Sequence, residues 1–366
     1  MTSRVVLVPK AIDDLQIIDD EAEPTILEDV QRVGGSRRGL RWLVPLAPWA
    51  WFLIRGLHPI MEVVAILLPI LLVAVGLVAL LLGAYRRDVM FVATFVSLTL
   101  MMFVAVVLPG RPTSSAVPPE TTRYVAFNLA QQWFTDNDVD FFAHANEPDV
   151  FVAVELRETH DQILRERYEN AISDVAGFDA DPTPPEGITP VEGTYRENDF
   201  PSIAIFSDFD IVRLSDPIAN AVDGGLPGIR AQVSTEQGDV IVYALHVPPP
   251  GRGSEVYQVG ASTQAELVDA VAEAVSREEL PVVVLGDLNI VDRGPNFANL
   301  SGDLTDVMRV DRWAGPTRSR DLWHTLLRLR IDHLLVSDEL CGTGAEARSV
   351  LFSDHSPIQA DVGPCP

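Results

Sequence analysis

Polar side chains suited to catalysis lie at the ends of short apolar runs in the C-terminal two thirds of the chain. In sequence order they are Asn128, Glu155, His246, Asp287, Asn289, Asp332, Asp354 and His355. Carboxylate and amide oxygens are the ligands that hard divalent cations prefer, and His paired with Asp is a common arrangement for proton transfer. Each residue taken singly is also typical of a turn. Their common position after strands favours a single site.

Three segments carry most of this signal. In residues 282–289 (VVVLGDLN) a buried apolar strand ends in a carboxylate and an amide, and residues 330–337 (RIDHLLVS) place Asp332 beside a similar strand. Residues 352–357 (FSDHSP) supply an Asp-His pair shortly afterwards. This pattern is typical of a phosphate and metal site.

The elements that must position these residues are short strands with helices between them, which predicts an α/β domain with layered sheets. Strands are predicted at Tyr124–Leu129, Val150–Glu155, Ile203–Phe206, Gly228–Val233, Val240–His246, Val282–Gly286, Ile331–Val336 and Ile358–Val362. Helices are predicted at Thr159–Ala171 and at Ala265–Arg277, the second opened by a capping box from Thr263 to Glu266.

Charge is distributed unevenly along the 366 residues. The formal net charge is −25; residues 1–120 hold 10 basic and 11 acidic side chains, and the remainder holds 17 basic and 41 acidic. Such an acidic domain disfavours non-specific binding to duplex nucleic acid, which requires Lys and Arg. The two cysteines, Cys341 and Cys365, are too few for a cysteine-based zinc site. A single disulfide and two free thiols both remain open.

Two apolar segments are long enough to cross a bilayer, which takes about 20 residues. Ile60–Gly83 contains one charge, Glu62, interpreted as an interfacial side chain, and Val89–Leu108 contains none. A third candidate, Trp42–Pro59, is interrupted by two prolines and Arg55. The sequence therefore predicts two or three transmembrane helices and a multi-pass protein of the cell membrane.

Positive charges predict the orientation of these helices, since Lys and Arg are enriched in cytoplasmic loops. They cluster at residues 37–41 and at Arg86 and Arg87. Three spans place both clusters inside and everything after Leu108 outside, and two spans leave the C-terminal domain outside as well. We expect an extracytoplasmic domain.

Six sequence blocks resemble, in their order along the chain, the endonuclease/exonuclease/phosphatase superfamily. They are FNL (127–129), PDVFVAVEL (148–156), ALHVPPP (244–250), GDLN (286–289), RIDH (330–333) and SDHSP (353–357). The resemblance covers residues 123–362. It implies a four-layer α-β-β-α sandwich and a metal-dependent phosphoric ester hydrolase.

The resemblance also implies roles for individual residues. Metal ligands would be Glu155, Asn128 and Asp354, binding Mg²⁺ or Mn²⁺. Catalytic residues would be Asp287 toward the attacking water, Asn289 and His246 toward the phosphate, and His355 oriented by Asp332. Three departures stand out. The usual Gln-Glu pair at the end of the second strand is Val154-Glu155, which keeps the ligand but changes its neighbour. Ser207-Asp208 puts a negative charge where the pattern often has a cation, and the segment 315–318 (GPTR) lacks an aromatic residue after its Thr.

The expected organisation is an acidic N-terminal tail (1–41), a transmembrane region (42–110), an exposed linker (111–122) and the catalytic domain (123–366). The expected function is a membrane-anchored phosphodiesterase, nuclease or phosphatase whose partners are the membrane and a phosphoester: a lipid headgroup, a small phosphoester or nucleic acid. The alternative is a catalytically silent extracytoplasmic domain of the same fold that binds a ligand or protein partner.

Overall fold

The computed structural model describes residues 41, 43–129, 136–174, 202–222, 225–251, 259–310, 312–318, 326–348, 350 and 353–366. Residues 1–40, which hold nearly all of the expected acidic tail and part of the first arginine cluster, lie outside the described residues.

Residues 43–110 are mostly helical. A 3₁₀ segment, Val44–Ala50, leads into the short helix α1, Trp51–Ile54, and then two long helices form a hairpin: α2, Ile60–Arg86, and α3, Val89–Met102, which continues in irregular helical turns to Gly110. Asp88 caps α3 by accepting a hydrogen bond from the backbone N–H of Met90. The Arg87 residue between the helices has positive φ, as expected of a tight turn.

The remaining helices lie within the C-terminal domain. They are α4 (Asp136–Asn146), α5 (Glu158–Arg167), α6 (Ala261–Val275) and α7 (Pro295–Leu300). The strands are β1 (Thr122–Asn128), β2 (Val150–Val154), β3 (Asn170–Asp174), β4 (Ile203–Ser207), β5 (Asp210–Arg213), β6 (Gly228–Thr235), β7 (Gly238–His246), β8 (Val282–Asp287), β9 (Thr305–Asp306), β10 (Asp332–Val336), β11 (Leu340–Ala347) and β12 (Ile358–Pro364).

The strands form two six-stranded sheets, ordered β11-β12-β1-β2-β4-β3 and β5-β6-β7-β8-β10-β9. One apolar cluster joins the facing sides of the two sheets. A second packs α6 and α7 on the outside of one sheet, and a third packs α4 and α5 on the outside of the other. The predicted α-β-β-α sandwich is confirmed.

All eight predicted strands are present, with ends within two residues of the prediction. The first predicted helix is shorter than expected: α5 ends at Arg167, and residues 170–174 form β3 instead. Pairing with β4 supplies this segment with backbone hydrogen bonds that outweigh its helical pattern. The predicted capping box is wrong, because Gly260 is the N-cap of α6 and Thr263 lies inside the helix. The structure joins Cys341 and Cys365 in a disulfide.

Candidate active site

Topology alone brings the predicted residues to one end of the sandwich. β1 and β2 are parallel neighbours, with Asn128 opposite Val154, so Glu155 emerges beside Asn128. In the other sheet β7 and β8 are parallel neighbours, with His246 opposite Asp287. The carboxyl ends of parallel strands share one sheet edge, so each sheet presents a pair of polar side chains there.

Asp332 joins them because β10 runs antiparallel to β8, with Asp332 directly opposite Asp287. The site is therefore assembled across the two sheets, at the edge where the ends of these strands face each other. The Asn128 amide bridges the sheets, because its Nδ2 donates to Glu155 Oε1 at 2.9 Å and to Asp287 Oδ2 at 2.9 Å. A short polar side chain at a strand end thus aligns two carboxylates.

Two of the site residues adopt left-handed backbone conformations. Glu155 has φ 53° and Asn289 has φ 48°. For a Glu this conformation costs on the order of 1 kcal/mol or more. The Glu155 N–H donates to Ser202 O at 2.7 Å, and the Asn289 N–H donates to Asp287 Oδ1 at 3.1 Å, so both unusual turns are held by hydrogen bonds.

Burial leaves one side of the cluster open. Asn128, Asp287, Asp332, His246 and His355 are all buried, whereas the Glu155 side chain is 33% exposed. A ligand therefore reaches the cluster past Glu155. The same opening would admit water to a bound cation.

His355 and Asp332 form a buried pair. His355 Nδ1 lies 3.1 and 3.0 Å from the two Asp332 carboxylate oxygens, and its Nε2 lies 3.7 Å from Asp287 Oδ2. Burial disfavours the charged ring, but Asp332 and Asp287 outweigh it and raise the pKa of His355 to about 9. Burial raises the pKa of Asp287 to about 7, against the opposing effect of His355. His355 is thus a cation at neutral pH.

His246 behaves differently from His355. Its Nε2 lies 3.6 Å from Glu155 Oε1 and 3.9 Å from Asp287 Oδ2. Burial, together with the charge of His355, lowers its pKa to about 3, so the ring is neutral. A neutral imidazole next to two carboxylates can act as a metal ligand or donate a hydrogen bond.

Two groups of side chains bring ligand atoms within 4.8 Å of one another: Glu155 with His246 and Asp287, and Asp287 with Asp332 and His355. The first group fits a hard divalent cation better, because the second is already used by the His355–Asp332 hydrogen bonds. Among the described residues no Arg or Lys forms an ion pair with Glu155 or Asp287. A cation would balance these two facing carboxylates.

Three predicted residues have partners other than those expected. Asp354 forms an ion pair with Arg318, at 2.9 Å from its Nη2, and lies in neither ligand group. Asn289 donates its side-chain amide to Val247 O at 2.9 Å. Asn128 presents its amide nitrogen, not its oxygen, to the carboxylates. Direct ligand or phosphate contacts for these three remain predictions.

Arg318 is the functional candidate that the sequence patterns did not single out. Its side chain is two-thirds buried, and its backbone forms an isolated antiparallel β-bridge with His355. Its charge interacts electrostatically with Asp287 and Glu155. Asp354 therefore fixes a cation beside the site. The segment 315–318 (GPTR) contains the signal, because Arg318 directly follows the Thr where the family pattern often has an aromatic residue.

The sequence profile of the Endonuclease/Exonuclease/phosphatase family matches residues 92–355. The chain belongs to this family. Members of the endonuclease/exonuclease/phosphatase family are usually phosphoester hydrolases that use divalent metals. No curated protein matches the chain significantly.

Several solved structures are similar to this family member. One is an endonuclease/exonuclease/phosphatase from Beutenbergia cavernae, with 19% identity and TM-score 0.46 over 67% of this chain and 72% of that one. Another is a 3′ phosphatase from Neisseria bound to a product DNA hairpin, with 18% identity and TM-score 0.44 over 65% of this chain and 98% of that one. A third is D. rerio TDP2 with a single-strand DNA product, with 12% identity and TM-score 0.44 over 66% and 99%.

Proposed function

We propose that this protein is a membrane-anchored, divalent-metal-dependent phosphoester hydrolase whose catalytic domain lies outside the cytoplasmic membrane. The observation that carries the proposal is the convergence of two facing carboxylates and a charged His-Asp pair at one end of the sandwich. Glu155 and Asp287 share the Asn128 amide, and His355 is held by Asp332. A silent binding domain has no need of an intact acid-base pair.

Glu155, Asp287 and His246 would hold Mg²⁺ or Mn²⁺, whose charge would polarise a phosphoryl oxygen when bound. Asp287 would also orient water and accept its proton, and its burial, which disfavours the charged carboxylate and so raises its pKa, supports this role. His355, kept positive by Asp332, stabilises the charge that develops on phosphoryl oxygens. Arg318 adds a second fixed cation at the rim, held by Asp354.

The hairpin of α2 and α3 supports a membrane anchor. Ile60–Arg86 and Val89–Gly110 have mean hydropathies of 3.1 and 2.6, and about a third or less of each is buried in the protein. Large apolar side chains such as Leu71, Leu77 and Leu81 are exposed along α2. A core helix would bury such residues, whereas a membrane helix presents them to lipid.

Residues 43–59 support a third crossing. Arg41 pairs with Asp88 at 2.9 Å at one end of the hairpin, whereas Ile60 begins α2 at the other end. Between them, Trp49 donates to Ser97 at 2.8 Å halfway along α3. The helical part, Val44–Ile54, is too short to span by itself, so the crossing would include the irregular residues on either side.

The same geometry supports the orientation. Arg41, Arg86 and Arg87 lie at one end of the hairpin, and the catalytic domain contacts the opposite end, near Glu62 and Gly110. Positive charges favour the cytoplasmic side, so the domain would lie outside.

Position favours a phosphoester at the bilayer surface over nucleic acid. The loop that follows Asn289 contacts the first turns of α2, so the catalytic end of the sandwich faces the hairpin. If the hairpin spans the membrane, that end lies near the headgroups. The acidic surface of the domain, with 17 basic and 41 acidic residues after residue 120, adds repulsion toward polynucleotides.

The test is hydrolysis by the full chain, purified in detergent, of bis-p-nitrophenyl phosphate, a phospholipid in mixed micelles and a single-stranded oligonucleotide, each with Mg²⁺. We expect turnover that is lost with EDTA and restored by Mg²⁺ or Mn²⁺, and lost in His355→Ala. The matched control is His58→Ala, outside the domain. Activity that survives both EDTA and His355→Ala would refute the mechanism, and no turnover of any phosphoester would favour the silent binding domain.

Orientation has its own test. Protease added to intact cells should remove the catalytic domain and leave a fragment containing the hairpin. Full protection of the domain, with cleavage only after lysis, would contradict the extracytoplasmic placement.

A further inference from the structure

The first two turns of helix α2 pack against the C-terminal domain. Glu62, in its first turn, is fully buried, and its carboxylate oxygens accept hydrogen bonds from two backbone N–H groups of the domain: Oε1 from Val291 at 3.2 Å and Oε2 from Asn296 at 3.2 Å. Asn296 is the second residue of helix α7, in the first turn, where backbone N–H groups have no partner within the helix. Glu62 therefore caps a helix of the domain and does not reach the headgroups.

The absence of a side chain at Gly294 leaves room for the Glu62 carboxylate. A Cβ at position 294 would lie 2.4 Å from both Glu62 carboxylate oxygens. Any larger residue would push the carboxylate away from the N–H groups that it accepts from. A side chain at position 294 would therefore disturb both hydrogen bonds.

Arg293 makes a second buried contact between α2 and the domain, and we call the contacts of Glu62 and Arg293 with their partners the joint. Pro69 lies inside α2 and has no N–H, so the carbonyl of Ala65, four residues earlier, lacks its helical donor. Arg293 Nε donates to this carbonyl at 2.7 Å, and its Nη2 donates to Ile66 O at 3.2 Å. The guanidinium thus supplies the hydrogen-bond donor that Pro69 lacks.

The other side of Arg293 holds the domain. Its Nη1 donates to Arg328 O at 3.1 Å and its Nη2 to Leu327 O at 2.7 Å. The segment that these bonds fix runs directly into Arg330 and β10. One buried side chain thus joins the membrane helix to two segments of the domain.

Both joined segments carry catalytic residues. The first runs from Asp287 and Asn289 to Val291 and Arg293, and the second runs from Leu329 and Ile331 to Asp332. The two are hydrogen-bonded to each other, since Leu288 N–H donates to Ile331 O at 2.9 Å.

Apolar contacts reinforce the joint on the same residues. Val291, Leu329 and Ile331 are buried in one cluster with Ala65 and Leu68 of α2. Each of the three domain residues lies within three positions of a catalytic side chain. The catalytic segments are therefore packed on the helix and not merely near it.

We propose that Glu62 and Arg293 are positioning residues of the active site, through which the first two turns of α2 fix the segments bearing Asp287 and Asp332. The membrane helix is then a structural part of the catalytic centre and not only a tether. This inference rests on the proposed hydrolase function for its kinetic readout.

The test uses the full chain in detergent with bis-p-nitrophenyl phosphate and Mg²⁺, comparing wild type with Glu62→Gln and Arg293→Met. Glu62→Gln keeps the size and shape of the side chain. It replaces one hydrogen-bond acceptor by an amide NH2 donor that faces a backbone N–H, so one of the two hydrogen bonds is lost. We expect kcat to fall roughly tenfold or more in each variant, as misplacement of catalytic groups predicts, with KM changed less than about twofold. The matched controls are Glu273→Gln and Arg277→Met, an exposed ion pair at the C-terminal end of α6, with Arg277 just beyond the helix.

A purely structural role predicts a different result. It would lower the thermal unfolding midpoint of Glu62→Gln and Arg293→Met while leaving kcat unchanged at temperatures where they are folded. That outcome would overturn the proposal.

Two further variants keep the test informative if Arg293→Met alone does not fold. Pro69→Ala restores an N–H for the Ala65 carbonyl, so the loss of kcat caused by Arg293→Met should be smaller in the Pro69→Ala background. Gly294→Ala displaces Glu62, so combining it with Glu62→Gln should add little to either single loss. Fully independent effects in both pairs would contradict the joint.

If the wild-type protein hydrolyses no phosphoester, the proposed function fails. The effect of Glu62 and Arg293 on the two segments is then measured by amide hydrogen exchange. We then expect faster exchange in residues 286–296 and 330–336 of Glu62→Gln and Arg293→Met than in the control variants. Unchanged exchange there would overturn the inference by itself.

Discussion

Asp332→Asn is the sharpest test of the acid-base pair. The substitution keeps the size of the side chain but removes the charge that faces His355 Nδ1 at 3.0 and 3.1 Å. Asp332 is buried, so water cannot replace that charge. We expect a large loss of kcat with little change in substrate affinity, since the imidazolium is needed most in the transition state.

The magnitude follows from the pKa of His355. Burial alone would lower it, yet the two carboxylates raise it from 6.5 to about 9. At about 1.36 kcal/mol per pKa unit this corresponds to roughly 3 kcal/mol of net stabilisation of the charged ring. Asp332 contributes more of it than Asp287. Loss of about 2 kcal/mol corresponds to a fall in kcat of roughly thirtyfold.

The assay is steady-state hydrolysis of bis-p-nitrophenyl phosphate by the full chain in detergent, at saturating Mg²⁺. Asp338→Asn is the matched control, because Asp338 lies just beyond the opposite end of β10 and is exposed. The control should retain wild-type kcat. An Asp332→Asn variant that is folded and within twofold of wild type would refute the assigned role of the pair.

Three other perturbations have expected outcomes. Glu155→Gln should raise the Mg²⁺ concentration for half-maximal activity by tenfold or more, as removal of an anionic ligand predicts, measured by metal titration of the apo protein. Gly286→Ala should destabilise the domain by about 2 kcal/mol or more, seen in urea unfolding, because its Cβ would lie 2.1 Å from Leu245 O at a φ of 137°. Replacing Cys341 and Cys365 by Ala should lower stability by about 3 kcal/mol relative to oxidised wild type, for a loop of this length, measured by thermal unfolding; reduced wild type, which also lacks the cross-link, should match the variant.

The sequence allowed the strands that carry the site to be predicted because they are continuous apolar runs that end in polar residues. Val282–Asp287 is buried on both faces between the other sheet and α6, and such a strand needs apolar residues at every position. The parallel pairing of β1 with β2 and of β7 with β8 then places the strand ends together. Neither pairing could be derived from the runs themselves.

The parts that could not be predicted depend on partners distant in sequence. β11 contains two glycines, Gly342 and Gly344, and has no alternation of apolar and polar side chains; its pairing with β12 makes it a strand. Asp354 is adjacent to His355 in sequence, yet it pairs with Arg318. The positive φ of Glu155 likewise depends on the Ser202 carbonyl, far along the chain.

The contacts between the hairpin and the domain also change how the two parts relate. The segment after Gly110 resembles an exposed linker by composition, but its first residues are fixed to the domain: Ala314 N–H donates to Gly110 O and Thr113 N–H donates to Arg309 O, each at 2.9 Å. A domain cut free at this segment would expose Leu329 and the other apolar residues now covered by α2. It would also leave the buried Arg293 without its acceptors on α2, and removing one side of a buried polar joint costs more than the joint contributes. We therefore expect the hairpin to be part of the folding unit of the C-terminal domain, and any activity measured on an isolated domain to be lower than that of the full chain.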